Sequence, residues 1–176
     1  TSAIAMMSAA LASLDQKQFP AAIQGVAREM FETVAPEMSG FSRVALSNLW
    51  LFGPIVQKQL EAGASTNAML RTTTALTIFN AGNKDNVLPG AAEATVNFRI
   101  LPGDSIAGVM SHVKQAAAND KFELTALPGG AEPSKITPTA SDSYRLINTT
   151  VRELFPGTLV APGLMIAATD SRHFEN

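Results

Sequence analysis

The stretch Ala91–Leu101 alternates strictly, with Val96, Phe98 and Ile100 on one side and Thr95, Asn97 and Arg99 on the other. A period of two marks a strand with one packed and one solvated face, and no helix satisfies it. The preceding run Thr72–Phe79 is rich in Thr and Ile, which favour pleated backbone. Gly82 to Gly90, with Pro89, supplies the turn between them. These features predict an antiparallel strand pair, polar on one face, whose other face must be covered by the rest of the chain.

Helical spacing surrounds that pair. Ile4, Met7, Leu11 and Leu14 predict an amphipathic helix ended between Asp15 and Pro20. A second helix is expected over 21–35, with Ile23, Val26, Met30 and Val34 on one stripe, closed by Pro36 and Gly40. A third helical region runs over about 42–61, kinked or split at Gly53-Pro54. Its apolar residues Leu46, Leu49, Trp50 and Phe52 are expected to be buried. After the hairpin, Asp104 or Ser105 caps a helix lined by Ile106, Val109, Val113 and Ala116, and Phe122–Leu127 reads as a further strand. Such an order fits a four-stranded sheet covered on one face by two helices, with three strands visible.

The texture changes at Ala131. The segment 133–138 reads as a linker, and Ser141 caps a helix carrying Tyr144, Ile147, Val151 and Leu154. Thr158–Ala161 and Leu164–Ala168 read as short buried strands.

Hydrophobic residues make up 46% of the 176 residues and charged residues 16%, enough apolar surface for a core. A formal net charge of −2 provides no basic field for nucleic acid or for an acidic membrane, so neither is expected as a partner. No apolar run is long enough to span a bilayer. With no cysteine there is no disulfide, thiolate metal ligand or thiol nucleophile, and the compartment is left open. The chain begins at Thr1 without the basic flank of a signal peptide and reads as a helix already under way, so it is expected to be an internal piece of a longer protein.

Chemistry-bearing residues are few. No GxSxG, GxxxxGK[ST] or GxGxxG occurs, and neither His112 nor His173 has a second ligand at metal-binding spacing. His112 reads as a surface residue, whereas His173, with Asp170 and Arg172, follows an expected buried strand, where functional loops gather. Asn86 reads either as an ordinary turn residue or as a binding residue. Arg99, amid the polar side of its strand, is either a plain exposed side chain or a carboxylate receiver, since its fork can hold both oxygens.

The run Asn83-Lys84-Asp85-Asn86-Val87-Leu88-Pro89-Gly90, followed by Ala94–Gly103 with Asn97-Phe98-Arg99, resembles the lid signature of the zinc-dependent M-20 peptidase family. That family includes aminoacylases and carboxypeptidases. Phe155-Pro156, Val160–Gly163 and Thr169–Phe174 resemble the branch of carboxypeptidase S and the N-fatty-acyl-amino-acid synthase/hydrolases. The resemblance implies an α+β fold: a ferredoxin-like two-layer lid over 1–130 with a helical insertion at about 20–65, then part of an α/β catalytic domain over 131–176. It implies hydrolysis of an amide in N-acyl amino acids or dipeptides by two zinc ions, and a possible homodimer through the lid. Arg99 would hold the free carboxylate and Asn86 would assist, while Asp170, Arg172 and His173 match a loop near the substrate. The family's zinc ligands, and a lid histidine that polarises the carbonyl, have no counterpart here, so the chain alone is expected to be inactive. The competing reading is a non-catalytic α+β binding or dimerisation module.

Overall fold

The computed structural model describes residues 2–119 and 121–167. Its helices are α1 (Ala3–Gln16), α2 (Gly25–Val34), α3 (Gly40–Ser47), α4 (Leu49–Glu61) and the single turn α5 (Ala64–Asn67); strands β1 (Thr73–Ala81) and β2 (Ala92–Arg99) follow, then α6 (Ile106–Ala117) and α7 (Asp142–Leu154). This is an α+β chain, and it divides into two compact units, residues 1–20 with 72–133 and residues 21–71 with 134–176.

In the first unit β1 and β2 pair antiparallel from Thr73↔Arg99 to Ala81↔Ala92. The ladder is irregular between Leu76 and Ile78, where Thr77 turns its hydroxyl to donate to the Thr95 carbonyl at 3.0 Å. Helix α1 packs on both strands and on α6. Phe98 meets the edge of Phe19 at 6.3 Å between centroids, and Phe19, 8% exposed, is stacked on His112 at 4.0 Å. Leu14, Val109 and Ala116 complete this apolar layer.

Polar ties fix the layer. Ser13 Oγ donates to the Ala116 carbonyl at 2.8 Å, and His112 Nε2 donates to the Lys17 carbonyl at 2.7 Å. Both acceptors lie at the C-terminal end of a helix, where carbonyls lack intrahelical donors. His112 is therefore a half-buried packing residue rather than the loose surface side chain expected. Ser105 caps α6 by accepting from Gly108 N at 3.1 Å. Asp104 does not cap; it accepts from the fully buried Thr72 hydroxyl, whose oxygen in turn accepts from Leu101 N at 2.9 Å. One threonine thus joins the entry of β1 to the exit of β2.

The strand expected over Phe122–Leu127 does not form. The backbone there is irregular and carries no ladder, so only two strands pair among the described residues. The same holds for 158–161 and for the described part of 164–168. Alternation or an apolar run shows that a segment could be extended, but a strand also needs a neighbouring edge, which local sequence does not encode.

In the second unit Ala27, Phe31 and Leu70 form the core, flanked by Ile23, Met30, Leu46 and Leu60. The two ends of the helical block are stapled: Ala22 N donates to the Leu70 carbonyl at 3.0 Å, and Gln57 Nε2 to the Ala21 carbonyl at 3.0 Å. The break in the third helical region falls at Asn48 rather than at Gly53-Pro54. Asn48 Nδ2 bonds the Val44 carbonyl, while the Asn48 carbonyl accepts from Leu51 N and Phe52 N, so this residue ends one helix and starts the next. Pro54 then sits inside α4, where it removes one helical hydrogen bond.

The burial expected for Trp50 is also corrected: it is 82% exposed. On α4 the half-buried positions are 49, 52, 53, 56, 57, 60 and 61, and the exposed ones 50, 51, 54, 55, 58 and 59. Both faces of its first two turns are apolar, so periodicity could not say which face turns inward. Helix α7 is capped by Ser141 as expected, but Ile147 and Leu154 of its stripe are exposed.

Candidate functional site

Residues 82–91 join β1 to β2. Gly82 turns the chain at φ +70°, and a Cβ there would stand 3.9 Å from Pro89 Cγ. The left-handed turn and the nearby proline fold the connection back on itself. Together with Ile4, residues 81–89 line an open hollow of about 630 Å³, with Lys84, Asp85 and Asn86 as its polar part and Val87, Leu88 and Pro89 as its apolar part. Asn86 is exposed in the turn itself.

Arg99 is the last residue of β2 and is exposed, as is Asn97. Phe98 faces the α1 side through its contact with Phe19, so alternation places Arg99 on the opposite face of the pair. Its register partner Thr73 stands beside it on that face.

The structure does not bring Asn86 and Arg99 together. The connection leaves the ladder at Ala81↔Ala92, while Arg99 pairs at the other end. Seven residue steps of strand lead from Ala92 to Arg99, or roughly 23 Å. Helix α1 gives an independent ruler: Ile4, in its first turn, borders the hollow, Phe19, just past its end, abuts Phe98, and the 14-residue helix is about 21 Å long. Asp170, Arg172 and His173 lie outside the described residues.

Elsewhere, Glu61 accepts from Gln57 Nε2 at 2.9 Å and pairs with Arg71 at 2.5 Å. The Gln57 hydrogen bond, and then the Arg71 charge, hold its carboxyl below the ordinary carboxylate range. This group belongs to the staple of the helical block. Among the described residues no three His, Cys, Asp or Glu side chains come together as a metal-binding group, so they do not fit a zinc site. No helix among them is long and apolar enough to cross a membrane. Sequence reasoning missed the Thr72–Asp104 link, because Asp104 carries an equally good signal for a helix cap.

Residues 1–125 match the peptidase dimerisation domain family. The chain is 41% identical to the probable carboxypeptidase S-like 2 of Dictyostelium discoideum, across 99% of this chain and 34% of that protein. It is 39% identical to the N-fatty-acyl-amino acid synthase/hydrolase PM20D1 of Xenopus tropicalis, across 98% of this chain and 34% of the relative. The human protein of that name is 37% identical across 98% of this chain and 35% of its own length. The chain thus spans about a third of the length of these curated relatives. No solved structure matches.

Proposed function

Because the chain belongs to the peptidase dimerisation domain family, we propose that it serves as the lid of a zinc-dependent amidohydrolase that cleaves N-acyl amino acids or dipeptides, and that it is inactive by itself. The relatives named as carboxypeptidase S-like and as N-fatty-acyl-amino acid synthase/hydrolases support that substrate class. The observation that carries the reading is the exposed position of Arg99 on the sheet face opposite Phe98. The role of Arg99 is to grip the substrate carboxylate through two parallel hydrogen bonds.

The separation of Asn86 from Arg99 refines the proposal. Roughly 20 Å exceeds the reach of one amino-acid head group, so within one copy the two residues serve different contacts. Pairing of two lids is the arrangement that lets an Asn86 and an Arg99 meet one substrate. In the complete gene product, Arg99→Ala is expected to lower kcat/KM by roughly 30- to 800-fold, equivalent to losing about 2–4 kcal/mol of charge-assisted binding, with the melting temperature unchanged. Melting of the domain with substrate kinetics intact is the result that sinks the assignment.

The second reading, a module that works by self-association, is favoured by the two-stranded ladder, whose outer edges pair with no other strand among the described residues. Light scattering on the chain alone tests it: a dimer in the absence of any catalytic partner supports it, and a monomer at all concentrations removes it.

A further inference from the structure

The hairpin face that carries Arg99 is defined rung by rung by the strand register. Thr73 stands opposite Arg99, Ala75 opposite Asn97, and Ile78 opposite Thr95. Directly opposed residues share a face. Arg99, Asn97 and Thr95 therefore follow one another along it at every second position of β2. Arg99, Asn97 and Ala75 are exposed, and Ile78 is 52% exposed. From the end of β2 inward, the face offers a guanidinium residue, then an amide, then an apolar branched side chain.

The hairpin gives Asn97 no structural task. Asparagine is depleted from strands, where it packs poorly and competes with the backbone. The Asn97 side-chain amide makes no hydrogen bond to another described residue. Opposite it stands an alanine, so no side chain longer than a methyl overhangs it from β1. A polar group held at a fixed place on a strand, with both its donor and its acceptor unspent, is equipped to meet a ligand.

An N-acyl amino acid carries its groups in the same order: a carboxylate, then an amide, then an acyl chain. One residue of extended chain spans about 3.3–3.6 Å. Positions two apart in a strand are about 6.8 Å apart. A substrate held by its carboxylate at Arg99 thus brings its amide between Arg99 and Asn97, and its acyl chain onward over Ile78. A trans amide points its N–H and its carbonyl to opposite sides. A contact from Asn97 Oδ1 to the N–H therefore leaves the carbonyl turned away from the sheet, free for attack.

We propose that Asn97 is a specificity-determining residue, whose Oδ1 accepts from the amide N–H of an N-acyl amino acid, with Ile78 beneath the start of the acyl chain. The inference rests on the proposed function, because it takes its anchor from Arg99. It makes the lid selective for amides over esters of the same shape, since an ester sets an oxygen where the amide sets a donor.

The test is kcat/KM of the complete gene product for N-octanoyl-leucine and for the octanoyl ester of the matching 2-hydroxy acid. Asn97→Ala is expected to lower the amide value by roughly three- to tenfold more than the ester value, at an unchanged melting temperature. If that variant fails to fold, Asn97→Val, a better strand former, provides the same readout. Asn97→Asp keeps the acceptor, so it is expected to retain the preference for the amide. It should lower both values, because a carboxylate on the next rung competes with the substrate for Arg99. Equal losses for amide and ester in the alanine or valine variant overturn the proposal, and so does no loss for either. Loss of the preference in Asn97→Asp overturns it as well. In all three cases a strong Arg99→Ala defect leaves the carboxylate grip standing. An Arg99→Ala enzyme as active as the parent marks the other failure, that of the grip itself, and this proposal falls with it.

Discussion

The hairpin unit and the helical block treat apolar residues in opposite ways. Along the end of β2, Phe98 turns in against Phe19 while its neighbours Asn97 and Arg99 are exposed. Along α4, apolar residues occupy both faces, and Trp50 and Leu51 are left exposed while Phe52 is half-buried. The difference teaches that hydrophobicity predicts position only where it is patterned. A two-fold period ties each side chain to a face, whereas a helix apolar all round leaves the choice to its neighbours.

Truncation in the two units should separate them most sharply. Phe98→Ala removes a ring that packs on Phe19 and should cost about 3 kcal/mol, the lower end for a phenylalanine because this one is half-buried. Denaturant melts of the variant measure it, and a loss below about 1 kcal/mol would show that the α1 layer does not depend on the aromatic pair. Next in size is Thr72→Val, which keeps the shape but leaves Asp104 and the Leu101 N–H without their buried partner. About 1–3 kcal/mol is expected, again from the hairpin unit.

In the helical block, Trp50→Ala should change stability by no more than about 0.5 kcal/mol despite removing the largest side chain type, because that side chain is 82% exposed. A cost similar to that of Phe98→Ala would erase the contrast between the units.

The smallest effect concerns pH. The folded state holds the Glu61 carboxyl below its ordinary range, chiefly through Gln57 and then Arg71. Such a group adds stability that is present above its unfolded pKa of about 4.3 and is lost as pH falls through the lower folded value. Glu61→Gln should therefore flatten the acid side of the melting-temperature profile and leave the neutral side nearly level. An unaltered acid limb would mean that the staple is not coupled to folding.

The sequence by itself determined the strand pair, the turn between its arms, a helix cap at Asp104 or Ser105, the cap at Ser141 and the side on which Arg99 stands. Each follows from interactions within a few residues: alternation, turn chemistry, and a hydroxyl reaching the N–H three residues on. Tertiary structure alone decided that 122–127 finds no partner strand among the described residues, that Asn48 rather than Pro54 splits the third helical region, and that Asp104 receives Thr72. These outcomes depend on which distant group arrives, and on register over the length of a strand, so no local signal carries them.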